Sequence, residues 1–130
     1  MINSSKARTQ RRFRFSAPLH KRQHFMRAHA DKALRQKLGI QHASIRIAKG
    51  DTVKIMAGEN FGKSAKVTLV NVKRGSIFLE GIVKKNAKGK EYSIPISPSN
   101  VYITDMDASY KGRIERLQGK PINKDKEAKK

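Results

Sequence analysis

The 130-residue sequence contains no cysteine and no tryptophan. Without cysteine the chain has no disulfide, no thiol nucleophile and no zinc site with sulfur ligands. Acidic residues are scarce, ten against 30 Lys and Arg, and they are scattered rather than paired as acid–base catalysis by carboxylates requires. No apolar run reaches the roughly 18 residues of a membrane-spanning helix, and the first residues lack the apolar segment of a secretory signal. These absences argue against an enzyme, a membrane protein and an exported disulfide-rich domain.

Positive charge is what the sequence has in abundance. The formal net charge is +20, which predicts a polyanionic partner: nucleic acid, an anionic membrane surface or an acidic protein, with nucleic acid favoured. Residues 1–44 hold eleven Lys and Arg and a single acidic residue, residues 45–104 hold eleven and four, and residues 105–130 hold eight and five. The first third of the chain is therefore expected to make many of the contacts that bind the partner.

The N-terminal third divides into two predicted segments. Residues 1–16 lack apolar periodicity and are expected to form an extended basic arm. Within it, residues 11–15 interleave arginines with two phenylalanines, a composition typical of RNA contacts; the alternative is a solvated tail whose rings pack against the body. Residues 17–39 are predicted to form one basic helix that begins after Ser16 and ends at Gly39. Its basic sides would face phosphates, or, alternatively, solvent.

Two other patterns resemble a metal site and a nucleotide-binding site, but both are incomplete. Four histidines, two of them one helical turn apart, suggest a metal site, but a zinc ion needs three or four ligands and no carboxylate cluster completes the set. Gly62-Lys63-Ser64 resembles the end of a nucleotide-binding P-loop, but Ala57 occupies the position of its first glycine and a strand pattern follows instead of a helix. We therefore predict no catalytic residue, no cofactor, no metal and no small-molecule substrate.

Residues 45–104 carry the alternating pattern of short β-strands separated by turns. Five strands in so short a stretch favour a small closed barrel, because closure removes exposed strand edges. Residues 105–130 lose this pattern and are predicted to be a flexible basic tail. The predicted core of the β region consists of Val53, Ile55, Val67, Leu69, Ile77, Leu79, Ile94, Val101 and Ile103.

Residues 49–72 resemble a KOW motif. Gly50-Asp51 and Val53 match its opening, Gly58 and Gly62-Lys63 its loop, and Val67 its returning strand. Phe61 and Ala65 depart from the pattern, standing where a basic residue and a second loop glycine are usual. The resemblance implies an SH3-like barrel. Because transcription elongation factors also carry KOW motifs, an RNA-binding elongation or regulatory factor of that type is the alternative function.

Segments outside the motif favour one KOW family over the other. From about Arg14 to Asp107 the chain resembles the archaeal and eukaryotic form of the KOW-bearing large-subunit ribosomal protein family, number twenty-four in the universal naming. That resemblance implies a structural constituent of the large ribosomal subunit in the cytoplasm. It implies binding to large-subunit ribosomal RNA near its 5′ region, early in assembly and near the polypeptide exit tunnel, beside neighbouring large-subunit ribosomal proteins. The residues that carry it are Ser16-Ala17-Pro18-Leu19-His20-Lys21-Arg22, the run from Ala28-His29 to Gly39-Ile40, Glu80-Gly81 and Pro95-Ile96-Ser97-Pro98-Ser99-Asn100-Val101.

Charge and resemblance together give a set of candidate RNA-contacting residues. Glycines in the loop let backbone amides approach phosphate, and nearby lysines neutralise it; for Gly62 turn geometry alone is the alternative. The candidates are Arg8, Arg11, Arg12, Arg14, Lys21, Arg22, Arg27, Arg35, Lys49, Gly58, Gly62, Lys63, Lys66, Ser99 and Asn100.

Overall fold

The computed structural model describes residues 4–107, 109 and 112–118. The helices in this part of the chain are α1 (Ala7–Ser16), α2 (Leu19–Arg22), α3 (Lys32–Leu38) and α4 (Arg113–Leu117), with 3-10 turns at Gln23–Phe25 and Pro98–Asn100. The strands are β1 (Arg27–Ala30), β2 (Ser44–Arg46), β3 (Thr52–Ile55), β4 (Ser64–Asn71), β5 (Ser76–Leu79), β6 (Val83–Lys85), β7 (Glu91–Ser93) and β8 (Val101–Asp105). None of the described helices is long and apolar enough to cross a membrane.

A six-stranded sheet in the order β2-β1-β8-β3-β4-β5 forms the body, and β6 and β7 form a separate hairpin. The predicted KOW stretch folds as the antiparallel hairpin β3–β4, in which Thr52 lies opposite Lys66 and Lys54 opposite Ser64. The mainly β prediction is therefore confirmed. The main sheet has six strands rather than five, because β1 and β2, from before the KOW stretch, join it, while β7 (Glu91–Ser93) lies in the separate hairpin.

The prediction of one helix over residues 17–39 is wrong. Only α2 and α3 are α-helical there, and β1 lies between them, pairing antiparallel with β2 and parallel with β8. Ala28 and Ala30 are buried and their neighbours exposed, the period of a strand. Met26 and Ala30 are spaced as on one face of a helix, which is why the sequence favours a helix, but the alternation of Ala28 and Ala30 is that of a half-buried strand. Pairing with distant strands stabilises the strand. Gly39 does end a helix, in the left-handed region at φ 63°.

The prediction of an extended arm over residues 1–16 is also wrong from Ala7 onward, where α1 begins. This helix buries no residue completely, but it is rich in Arg, which is a good helix former. Its C-terminal end is fixed by a contact between Phe13 and Phe25, whose rings meet edge to face at 6.1 Å. Phe15, in contrast, is 84% exposed.

Most of the predicted core is buried, with one error. Leu69 is 55% exposed, because the pairing of β4 with β5 shifts register between Val67 and Leu69. Such a bulge adds one residue to the strand and reverses which side chains face the core, so Val70 packs against the core instead. Ile94 is only partly buried. The core also includes residues from before the KOW stretch: Met26, Ala28, Ala30, Leu34, Ile40, Ile45 and Ile47.

The C-terminal segment is not entirely a tail. Helix α4 packs on the body, where Leu117 contacts the core cluster and the Gln118 side chain donates a hydrogen bond to the Leu38 carbonyl. The prediction of a flexible tail is therefore wrong for residues 112–118 and also at its start, where Asp105 ends β8 and Met106 is buried. Residues 108, 110, 111 and 119–130 of the predicted tail lie outside the described residues.

Candidate nucleic-acid interface

The candidate RNA-contacting residues are nearly all at the surface. Every one is exposed except Arg22 and Arg35, which are half-buried. The fold brings several of them together at three places: a cleft beside the end of α1, the loop between β3 and β4, and a groove beside Lys49.

The first place is a cleft of about 270 Å³ that we call the basic cleft. Four cationic side chains and no carboxylate line it. The end of α1, the 3-10 turn at Gln23–Phe25, the β4–β5 turn and the 3-10 turn at Pro98–Asn100 form its walls. Its lining residues are Arg14, Arg22, Phe25, Val72, Lys73, Arg74, Gly75, Ser97, Pro98 and Ser99.

Arg14 is held at the cleft by an aromatic ring. Its guanidinium lies over the ring of Phe25, 5.3 Å from the centroid, and Phe13 packs edge-on against that same ring. A cation–π contact of this kind holds the guanidinium beside the ring. The Arg14 side chain donates no hydrogen bond to the other described residues, so its N–H groups are available to an anion.

Arg22, selected as a candidate RNA contact, makes structural hydrogen bonds to the backbone. Its Nε donates to the Ala17 carbonyl at 2.8 Å and one terminal nitrogen donates to the Lys73 carbonyl at 2.9 Å. The other terminal nitrogen donates to the Phe15 carbonyl. With all three nitrogens engaged by backbone carbonyls, Arg22 ties the N-terminal segment to the β4–β5 turn. Its positive charge adds to the electrostatic potential of the cleft, while its hydrogen bonds hold the segments that form the cleft walls together.

Lys73 and Arg74 are the cleft residues that sequence reasoning missed, because the sequence there indicates only a turn. Gly75, at φ 68°, permits that turn, and the Asn71 side chain closes it by accepting the Arg74 N–H at 3.1 Å. Both basic side chains are exposed. The sequence did carry a signal that could have marked them as candidates: two adjacent basic residues at a predicted turn in a strongly cationic chain.

The loop over residues 56–63 supports only part of its predicted role. Gly58 and Gly62 both have positive φ, 98° and 81°, so turn geometry requires glycine there. The Gly62 N–H already donates to the Ile55 carbonyl at 2.9 Å and is not free for a phosphate. Lys63 is exposed and its Nζ lies 2.9 Å from the Asn60 side-chain oxygen. The loop thus presents the side chain of Lys63 to a phosphate, while Gly62 is needed for the conformation of the turn.

The third place, a groove of about 540 Å³, brings Lys49 and Lys66 together, but also contains Glu80 and Asp107. Hydrogen bonds from the Ser109 hydroxyl and backbone N–H lower the pKa of Asp107, and Lys66 and Arg113 lower it further. The two lysines therefore share the groove with two carboxyl groups, one of which, that of Asp107, has a lowered pKa. This groove is a weaker site for an anion than the basic cleft.

Asp51, part of the KOW signature, is a structural residue. It is completely buried and accepts hydrogen bonds from the backbone N–H groups of Ala48 and Asp107, at 2.8 and 3.2 Å. Arg113 of α4 adds a bidentate ion pair at 2.6 and 2.7 Å, and also donates to the Arg46 carbonyl at 2.8 Å. The motif's carboxylate thus fastens α4 to the KOW hairpin.

Most of the positive charge in the described part of the chain has no acidic partner. Three ion pairs occur there: Lys84–Glu59, Lys85–Glu91 and the buried Arg113–Asp51. No three His, Asp or Glu side chains converge as metal ligands among residues 4–107, 109 and 112–118. The cations of α1, and those of the basic cleft other than Arg22, are therefore available to an external anion.

Residues 4–120 match the model of the family described as the eukaryotic L26 ribosomal proteins and their archaeal L24 counterparts. The chain belongs to this ribosomal protein family. Two similar relatives are both named large ribosomal subunit protein uL24. The protein from Methanocella arvoryzae is 39% identical over 120 residues, covering 92% of this chain and 95% of the relative. The one from Methanothrix thermoacetophila is 44% identical over 104 residues, covering 80% and 88%.

Membership of this family confirms the resemblance found in the sequence. It also confirms the prediction of a non-enzymatic protein, because the members are structural ribosomal proteins. The matched region begins at residue 4 and so includes α1 and the basic cleft, in addition to the KOW hairpin.

Proposed function

We propose that this chain is a structural constituent of the large ribosomal subunit in the cytoplasm and binds large-subunit ribosomal RNA through the basic cleft and the exposed cations of α1. The observation that carries the proposal is the cleft itself, where four cationic side chains from separate elements converge without a carboxylate. The relatives' names support the ribosomal part of the proposal.

The chemistry of the cleft suits a phosphate backbone. Arg14 presents a guanidinium, Lys73 and Arg74 add charge at the tip of a turn, and Ser99 adds a hydroxyl. Contacts of this kind read the shape and charge of an RNA helix rather than its sequence. On this proposal, an SH3-like barrel serves as the rigid base that holds α1 and the turns in place.

The test is binding of a 5′ large-subunit rRNA fragment measured against salt concentration. Each phosphate neutralised contributes about −0.7 to −0.9 to the slope of log affinity against log salt. Replacing Lys73 and Arg74 by Gln should therefore reduce the slope by about 1.4 to 1.8. The matched control replaces Lys84 and Lys85, an adjacent basic pair already engaged by Glu59 and Glu91, and should change the slope less.

Equal losses from the two pairs of substitutions would contradict the assignment of the cleft. A wild-type affinity that did not fall steeply with salt would contradict rRNA binding altogether. Cosedimentation with large subunits in high-salt gradients separates the ribosomal function from that of a transcription factor, which would sediment with polymerase instead.

Three finer parts of the proposal concern where and when the chain binds. The resemblance of the sequence supports contact near the 5′ region of the rRNA, early assembly, and a position at the subunit surface near the exit tunnel with ribosomal proteins as neighbours. Stepwise reconstitution tests the timing: the chain should bind the 5′ fragment before other large-subunit proteins are added. A requirement for those proteins would contradict early binding.

A further inference from the structure

Two aromatic side chains lie side by side on the outer face of the sheet, and neither of them lines the basic cleft. His29 of β1 and Tyr102 of β8 are register partners, and their ring centroids are 5.7 Å apart with the planes inclined at 53°. Both side chains are exposed, and Tyr102 retains 39% of its surface. We call this pair the aromatic platform.

The strand pattern fixes the platform on the outer face. Ala28 and Ala30 on β1, and Val101 and Ile103 on β8, are all buried, so the alternating residues between them must point outward. Because the buried neighbours anchor both strands in the core, the two rings are presented on a rigid surface.

Cations flank the platform on both sides. Lys54 of β3 is the register partner of Tyr102. On the other side, Arg27 of β1 lies opposite Arg46 of β2, two residues along from His29. All three basic residues are exposed.

The acidic residues near the platform lie at its opposite end. Asp31 follows β1 and Asp105 ends β8. Each carboxylate accepts a backbone hydrogen bond from the following residue, Lys32 for Asp31 and Met106 for Asp105. Positive charge is therefore concentrated toward the start of β1 and β8, and negative charge toward their ends.

We propose that the aromatic platform is a stacking site for an unpaired RNA base, with Tyr102 contacting the base and Lys54, Arg27 and Arg46 contacting the phosphates on either side of it. Aromatic rings presented beside basic side chains bind single-stranded segments through stacking and charge together. The proposal rests on the proposed rRNA-binding function and adds a class of ligand, an unstacked base, that the basic cleft does not address.

The surroundings favour RNA over a protein partner. The cross-strand neighbours of the two rings are Lys54 and Ser44, and the next pair along is Arg27 and Arg46. Lysine is depleted in protein interfaces, whereas arginine is enriched there, so Lys54, the register partner of Tyr102, is the neighbour that favours RNA. A ring beside a lysine is suited to a base that carries phosphates with it.

The test uses a short single-stranded RNA containing 2-aminopurine, whose fluorescence is quenched when the base stacks on an aromatic ring. Wild-type protein should quench it, and Tyr102→Ala should lose about 5- to 140-fold in affinity, since one stacked base contributes about 1–3 kcal/mol and 1.4 kcal/mol is tenfold. Tyr102→Phe keeps the ring and should bind like wild type. Tyr92→Ala is the matched control, because Tyr92 is similarly exposed, at 45%, but lies on the β6–β7 hairpin.

Several outcomes would contradict the proposal that the aromatic platform stacks an RNA base. They are an absence of quenching by wild type, equal affinities for Tyr102→Ala and Tyr92→Ala, or a loss with Tyr102→Phe as large as with Tyr102→Ala. If Tyr102→Ala binds RNA normally but no longer cosediments with large subunits, the surface contacts a protein and the proposal is wrong. In all these cases salt-dependent binding of wild type to the 5′ rRNA fragment can persist, and only its loss would contradict the proposed function itself.

Discussion

Replacing Arg113 by Ala should destabilise the fold strongly while leaving its surface almost unchanged. Arg113 forms a bidentate ion pair with Asp51, whose side chain is fully buried, and its own side chain is only 14% exposed. Removing one partner of a buried pair leaves an uncompensated charge and costs about 3–5 kcal/mol. Asp51 would keep its hydrogen bonds from Ala48 and Asp107, so we expect a loss near the lower limit, about 3 kcal/mol.

Urea denaturation of the full chain measures this loss as a fall in the midpoint at unchanged slope. A small domain has a total stability of about 5–15 kcal/mol, so a loss of this size is readily seen. Arg116→Ala is the matched control: the residue is on the same helix but exposed, and its replacement should change the free energy of unfolding by no more than about 0.5 kcal/mol.

A loss below about 1 kcal/mol for Arg113→Ala, within the range of an exposed ion pair, would refute this reasoning. A double-mutant cycle with Asp51→Asn separates the pair from the rest of the helix. If the two residues act through each other, the double variant should lose less than the sum of the two single losses. Additive losses would show that Arg113 stabilises the protein by some other contact.

Three further predictions concern single positions. Gly50→Ala should cost about 1–3 kcal/mol because φ is +93° and a Cβ would collide with the Asp107 carboxylate; an unchanged urea midpoint would contradict this. Hydrogen bonds from Ser109 lower the pKa of Asp107, so its carboxylate stabilises the fold above pH 3.8, its ordinary pKa, and that contribution disappears as pH falls below this value. Ser109→Ala should raise that pKa in an NMR titration, and no change would exclude the bond. Ile77→Ala should cost about 2–5 kcal/mol and Leu69→Ala at most about 0.5 kcal/mol, and similar losses would contradict the bulge in β4.

The parts of the fold that the sequence predicts are local. The β3–β4 hairpin follows from alternating apolar residues and from glycines at positions of positive φ, and both signals lie within one short stretch. The end of α3 at Gly39 is equally local. Such features need no knowledge of where the rest of the chain lies.

The parts that were missed depend on distant partners. Strand β1 exists because Ala28 and Ala30 fit between β2 and β8, and β8 lies far along the chain. Asp51 and Arg113 are 62 residues apart, so nothing near Arg113 marks it as structural. Leu69 follows the alternating apolar pattern of a strand, and only the pairing of β4 with β5 reveals the bulge.

In the candidate site, too, some features could be predicted from local sequence and others depend on distant parts of the chain. Basic residues such as Arg14 could be selected from charge and neighbouring aromatic residues, and this one lines the basic cleft as well as contacting Phe25. Charge alone could not separate Arg22, whose nitrogens bind backbone carbonyls, from an arginine free to bind phosphate. Nor could it show that the turn bearing Lys73 faces α1.

The most direct test of the central claim is lysine footprinting of the chain bound to the 5′ large-subunit rRNA fragment, with acetylation at each lysine measured by mass spectrometry. If RNA occupies the basic cleft, Lys73 should become strongly protected on binding. Lys84 and Lys85, on the β6–β7 hairpin and engaged by acidic residues, should be modified equally with and without RNA. Protection of Lys84 and Lys85 with continued modification of Lys73 would contradict the account.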